Sequence, residues 1–224
     1  MATIISPFRF LINASRNGCG LFLSVLVGAC SFSALSADEK MPASYHQCIA
    51  CHGDQGQGNE ALNSPAIAGQ FDWYLKRQLV NFKSGVRGAH PDDSDGSQMA
   101  AIASLLNDQD VPELASYLAS LSETKVKQSE GDIRNGQSYY QAKCGGCHGG
   151  QAEGNKSFNA PKLTGLGEKY LKGQMAKFTN GIRGTKQEDK LGRQMAMMAK
   201  ITPAKEVNDI IVYITAMSAQ ADAK

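Results

Sequence analysis

One short pattern occurs twice in this chain, and the distance between its copies limits the folds open to it. "CIACHGDQGQG" begins at Cys48 and "CGGCHGGQAEG" begins at Cys144 of 224 residues. Sliding the sequence by 96 positions places Cys48, Cys51 and His52 on Cys144, Cys147 and His148 without a gap. The same offset places Pro65 on Pro161, Met99 on Met195 and Tyr117 on Tyr213. It also lays "YLKRQLVNFKSGVRG" (74–88) on "YLKGQMAKFTNGIRG" (170–184). A period this long is a duplicated domain, not a solenoid unit. Both copies read as helical. Val111, Leu114, Ala115, Leu118 and Leu121 fall on one face at three- and four-residue spacing, matched by Val207, Ile210, Ile211, Ile214 and Met217. "WYLKRQLVNF" and "KYLKGQMAKF" predict a second helix in each copy, closed by Gly85 and Gly181, and "IRNGQSYYQAK" a short one before Cys144. Thr202 and Pro203 read as an N-cap and first helical residue. No strand-like alternation appears. The expectation is an all-α chain of two tandem domains, 38–122 and 132–224, joined by a polar linker, 123–131.

C-x-x-C-H is the attachment signature of c-type haem. Two thiols three positions apart reach the two vinyl groups of one porphyrin and become thioethers. The histidine that follows is then held under the iron as proximal ligand. Cys48 and Cys51 with His52, and Cys144 and Cys147 with His148, are thus candidates to hold two covalently bound haem c groups. A redox dithiol does not require the histidine, and a four-cysteine zinc site leaves both histidines unexplained. For the sixth ligand, the second copy has no histidine besides His148, which excludes a bis-histidine site within it. It offers Met175, Met195, Met197, Met198 and Met217, but only Met195 has a methionine partner in the first copy, Met99. Each lies 47 residues after its histidine. Met99 and Met195 are therefore the axial candidates. His90, in the charged loop "AHPDDSDG", is a competitor for Met99, and the other methionines read as core packing.

Residues 1–37 read as an export signal: Arg9 and Arg16 precede the apolar "GLFLSVLVGACSFSALSA", which ends in small residues. Two other readings stand beside it. One is an uncleaved anchor, although the apolar run is short for a span. The other is a lipobox-like "LVGAC" with a lipid anchor at Cys30. All three place the remainder outside the cytoplasm, and periplasmic is the expectation. Without this segment the chain holds 21 basic and 21 acidic side chains, a balance that suggests no nucleic-acid partner. The charge is unevenly divided. Residues 38–122 hold five basic and 11 acidic groups, residues 129–224 hold 14 and nine. Opposite fields on two domains could steer two different redox partners, or simply favour domain docking.

Each half resembles a class I cytochrome c, and the whole is similar to the cytochrome c4 family of dihaem cytochromes. The resemblance rests on "CIACHGDQGQG", "PAIAGQ", "YLKRQLVNFKSGVRG", "QMAAIASLLNDQDVPELASYLASL" and their second copies, and it covers nearly all of the chain after the signal. It implies two all-α domains packed face to face about a pseudo-twofold axis, with haems near the interface. It implies electron carriage in the periplasm rather than catalysis. The partners would be a quinol-oxidising complex or small cytochrome upstream and a terminal oxidase downstream, with membrane association left open. It also implies that the carbonyls of Pro65 and Pro161, 13 residues after the histidines, accept the free imidazole N–H. Arg87 and Arg183 are candidates to pair with haem propionates, or are solvated loop residues. One departure is "PKLTGLG" in place of a second "P-x-L-x-G-Q", which puts that loop's contacts in doubt. Two other functions stay open: a dihaem peroxidase, which needs one open or switchable haem, and the electron-entry subunit of a membrane redox complex.

Overall fold

The computed structural model describes residues 40–220, so the readings of the signal segment and of Cys30 lie outside the described residues. The first copy has a 3₁₀ turn at Ala43–Gln47 and then α1 (Ile49–His52), α2 (Asp72–Lys83), α3 (Ser94–Ser104) and α4 (Asp110–Ser120). The second has α5 (Ile133–Lys143), α6 (Gly145–His148), a 3₁₀ turn at Lys156–Phe158, α7 (Glu168–Thr179), α8 (Lys190–Lys200) and α9 (Ala204–Gln220). Among the described residues no strand forms; isolated bridges join Asn59 to Ser64 and Asn155 to Ala160. The fold is all-α, in two tandem units.

The apolar faces read from the sequence are the core. Val111, Leu114, Ala115 and Leu118 of α4 bury against Tyr45, Leu75 and Leu106. Ile210, Ile211 and Ile214 of α9 bury against Tyr140, Ala152 and Leu171. Where α5 crosses α9, Gly136 is obligatory, because a Cβ there would run into the Asp209 carbonyl. Gly88 and Gly184 take positive φ, +83° and +76°, and tuck the loop after Arg87 and Arg183 onto the backbone of Gly96 and Gly192.

Three expectations are corrected. The loop read in "AHPDDSDG" ends early: Ser94–Gly96 already belong to α3, whose N-cap is Asp93, its carboxylate accepting from Gly96 N at 3.1 Å. Asp189 repeats the cap on Gly192 N at 2.8 Å. Thr202 does not cap α9; its hydroxyl donates back to Met198 O at 2.8 Å, and the helix begins at Ala204. Met197 is not core but 61% exposed.

The repeat also slips by one residue ahead of the cysteines. Tyr45 and Tyr140 both donate to the carbonyl after the C-x-x-C-H histidine, Gly53 O and Gly149 O, at 2.7 Å. Tyr45 lies three residues before Cys48 on a 3₁₀ turn, and Tyr140 four before Cys144 on an α-helix. The i→i+3 and i→i+4 hydrogen-bond steps account for the difference.

Candidate functional site

Each histidine sits at the end of a one-turn helix that its two cysteines begin or share. His52 and His148 are buried, 5% and 6% exposed. In each ring Nδ1 faces a proline carbonyl, Pro65 O at 2.8 Å and Pro161 O at 2.9 Å. Burial holds both imidazoles below the usual histidine range, partly offset by those carbonyls. A neutral ring that donates Nδ1–H to the carbonyl has its Nε2 lone pair free. In the first copy Nε2 faces Met99 Sδ at 3.4 Å. In the second copy His148 and Met195 line a shared cavity of about 230 Å³. Its wall includes Cys144, Cys147, Pro161, Leu171 and Phe178, and Tyr74 and Arg87 from the first copy. Met195 packs with Met175 against Phe178, Ala196 and Ala199. His90, the competing ligand, is tied into its own loop, where its Nδ1 accepts from Asp92 N at 3.2 Å.

These groups fit a haem and fit the other sequence readings poorly. Among the described residues no group of three or more His, Cys, Asp or Glu could hold a metal ion. A histidine nitrogen and a thioether sulfur supply only two donors, which suits an iron already held in a macrocycle. Burial pushes the Cys48 and Cys144 thiols up to about 11, unlike the acidic thiolates of redox dithiols and zinc sites. Arg183 Nε is buried at the cavity without a hydrogen-bond partner, a donor left over for a carboxylate.

Arg87 and Arg183 also reach each other's domain. Gln78 Oε1 accepts from Arg87 Nη1 at 2.8 Å and from Arg183 Nη2 at 3.1 Å. Gln174 Oε1 accepts from Arg183 Nη1 at 2.6 Å and from Arg87 Nη2 at 3.1 Å. Each guanidinium lies over the phenylalanine of its own copy, Phe82 or Phe178, 4.5 Å from the ring centre. The reciprocity breaks at one point: Arg87 also bonds Tyr170 Oη at 3.1 Å, and its charge lowers the Tyr170 pKa against the opposing effect of burial. The sequence reading missed Gln78 and Gln174, although their recurrence in both copies was a signal. It also missed Lys177, which bridges Asp93 at 2.6 Å and Asp95 at 3.2 Å across the boundary; Asn81 stands at its place in the first copy, so the repeat gave no clue. The doubtful loop has a one-sided role. Gln70 exchanges two hydrogen bonds with the Lys162 backbone, at 3.0 and 3.1 Å, whereas its counterpart Leu166 packs on its own core.

Two helical units in tandem, each built around C-x-x-C-H with the histidine buried and its Nδ1 tied down, form the architecture of a dihaem c-type cytochrome. The sequence profile of the family "Cytochrome c" matches residues 41–122 and again 133–218. Cytochrome c4 of Azotobacter vinelandii is 30% identical over 177 residues, spanning 75% of this chain and 82% of that protein. The crystal structure of reduced cytochrome c4 from Pseudomonas stutzeri superposes with a TM-score of 0.63 at 28% identity, over 76% of this chain and 93% of that one. The chain belongs to the cytochrome c4 family, dihaem electron carriers with two covalently bound haem c groups. Some relatives bear other names. The "thiosulfate dehydrogenase electron acceptor" of Thiomonas intermedia is 29% identical over 80% of this chain and 82% of its own length. The cbb3-type oxidase subunit FixP of Sinorhizobium medicae is 29% identical over 60% of this chain and 48% of its own.

Proposed function

We propose that this protein is a periplasmic electron carrier, not an enzyme, that passes electrons toward a terminal oxidase. Residues 1–37 would be its export signal, 38–122 and 132–224 its two haem domains and 123–131 their linker. Cys48 and Cys51 hold one haem through thioethers and Cys144 and Cys147 the other. His52 with Met99, and His148 with Met195, would hold the two irons. Each haem, when bound, supplies one-electron iron chemistry. The chain's own residues set its terms. The Pro65 and Pro161 carbonyls fix each imidazole and strengthen it as a donor. A methionine opposite it raises the potential and fills the position that a substrate would need. Arg87 and Arg183 would neutralise propionate charge at the domain boundary.

The observation that carries this reading is the pairing of His52 with Met99, whose Nε2 and Sδ meet at 3.4 Å and would part to admit an iron, with Nδ1 held by Pro65. The likeness to FixP supports an oxidase as acceptor, while the likeness to the thiosulfate dehydrogenase partner supports a donor that oxidises sulfur compounds. The peroxidase reading requires one haem open to small ligands. Reduced holoprotein is exposed to carbon monoxide. A carrier with two methionine-ligated haems keeps both spectra unchanged on the minute scale; stoichiometric carbon monoxide binding at one haem would transfer the case to the enzyme.

A further inference from the structure

The helices that carry Met99 and Met195 are equivalent elements of 11 residues, yet their outward faces differ. On α8, Lys190, Arg193, Gln194, Met197 and Lys200 are all exposed, and so is Ile201, just after the helix. Their equivalents on α3, also exposed, are Ser94, Ser97, Gln98, Ala101, Ser104 and Leu105. Three cations and a methionine thus replace three serines and an alanine at matched positions. Helix propensity gains only a few tenths of a kcal/mol per residue from such exchanges. It gives no reason for Met197 and Ile201 to stand 61% and 62% exposed among the cations. Among the described residues none of Lys190, Arg193 and Lys200 enters an ion pair. The neighbouring carboxylate of Asp189 is committed to capping Gly192. The stripe also abuts the attachment segment: Lys143, next to Cys144, donates to Ile201 O at 3.1 Å, and Cys147 is exposed.

We propose that the outward face of α8, with Lys190, Arg193, Met197, Lys200 and Ile201, is the docking surface for an acidic redox protein with a small apolar centre. This inference rests on the electron-carrier reading. A methionine and an isoleucine ringed by cations match the make-up of a protein interface, an apolar centre within a charged rim. The complementary partner presents carboxylates around an apolar spot, and the opposite fields steer the encounter. A lipid surface is the weaker match. An interfacial helix lays a whole apolar face into the bilayer, whereas the apolar face of α8, with Ala196 and Ala199, is buried against Phe178 in its own core.

The test compares two triple variants of the holoprotein with equal loss of charge. Lys190→Ser/Arg193→Ser/Lys200→Ser installs the residues of the first copy. Lys76→Ser/Lys127→Ser/Lys156→Ser removes three exposed lysines elsewhere. Adsorption is measured by quartz-crystal microbalance on gold bearing mixed carboxylate- and methyl-terminated thiols, the mimic of an acidic apolar surface. The first triple should bind roughly tenfold more weakly at low ionic strength and the second less than about twofold, with the gap closing as salt rises. Met197→Ala should weaken adsorption on the mixed surface and not on a purely carboxylate one. Equal losses in the two triples would overturn the proposal, leaving only an effect of net charge. Tighter binding of wild type to anionic phospholipid vesicles than to the monolayer, abolished by the first triple, would overturn it in favour of a membrane. Haem potentials do not enter this readout, so its failure leaves the carrier reading to redox titration.

Discussion

Tyr45 and Tyr140 perform one task from positions that the repeat does not equate. Each holds the loop after the haem-motif histidine by a hydroxyl bond to a glycine carbonyl, and burial keeps each phenol firmly protonated. Tyr140→Phe should therefore cost about 1 kcal/mol of stability, read by chemical denaturation of the holoprotein, with haem content unchanged. The axial residues give a sharper contrast. Met195→His should remove the sulfur-related near-infrared band from one haem only and lower that haem's potential by on the order of 0.2 V, within the ~0.8 V that axial ligands span. Loss of both bands would mean that the two sites are not independent. At this scale much was legible. The cysteine and histidine spacing points to haem chemistry, and the repeat singles out Met99 and Met195 from eight methionines. What the sequence could not reveal were contacts set by folding, such as the meeting of Arg87 with Tyr170.

At the scale of elements, the crossing of α5 over α9 carries the second core. Gly136→Val places side-chain atoms against the Asp209 backbone, so a loss of more than about 2 kcal/mol is expected, seen as a lower Tm. Asp209 ties the same crossing together. It accepts from Lys205 at 2.9 Å, from Asn135 at 2.6 Å and from Asp132 N at 3.3 Å, and these bonds hold its carboxyl down at about 2. A depressed carboxyl stabilises the fold above its unfolded value and loses that contribution as pH falls toward the folded one. Denaturant titrations between pH 5 and pH 2 should thus show a shallower loss of stability in Asp209→Asn than in wild type; identical slopes would contradict this role. The helices α4 and α9 were readable because their apolar residues recur at helical spacing. α3 and α8 were not, because Gly, Ser and Asp at their starts mimic a turn until the capping bond is seen. The 3₁₀ turn before Cys48 matches the little chain left there for a full helix.

Across the whole molecule, part of the uneven charge is used at the domain boundary. Lys177 of the basic half meets Asp93 and Asp95 of the acidic half, and Lys162 meets Glu123 of the segment between them. Lys177 and Asp93 are both largely buried, with side chains 14% and 3% exposed, so Lys177→Ala leaves a buried carboxylate without its counter-charge, held only by its cap bond to Gly96. A loss of about 3 kcal/mol is expected, with the two halves melting separately in calorimetry. A single unchanged transition would contradict a locking role. The charge division was visible in the sequence, but its partial use in docking depends on which lysine faces which aspartate. The central claim, two methionine-ligated haems in one carrier, is tested most directly by an anaerobic spectroelectrochemical titration that follows the near-infrared band of ferric haem bound to methionine sulfur. The account expects two one-electron waves at high potential, each carrying that band. A wave at much lower potential without the band would contradict it and make one haem the open centre of an enzyme.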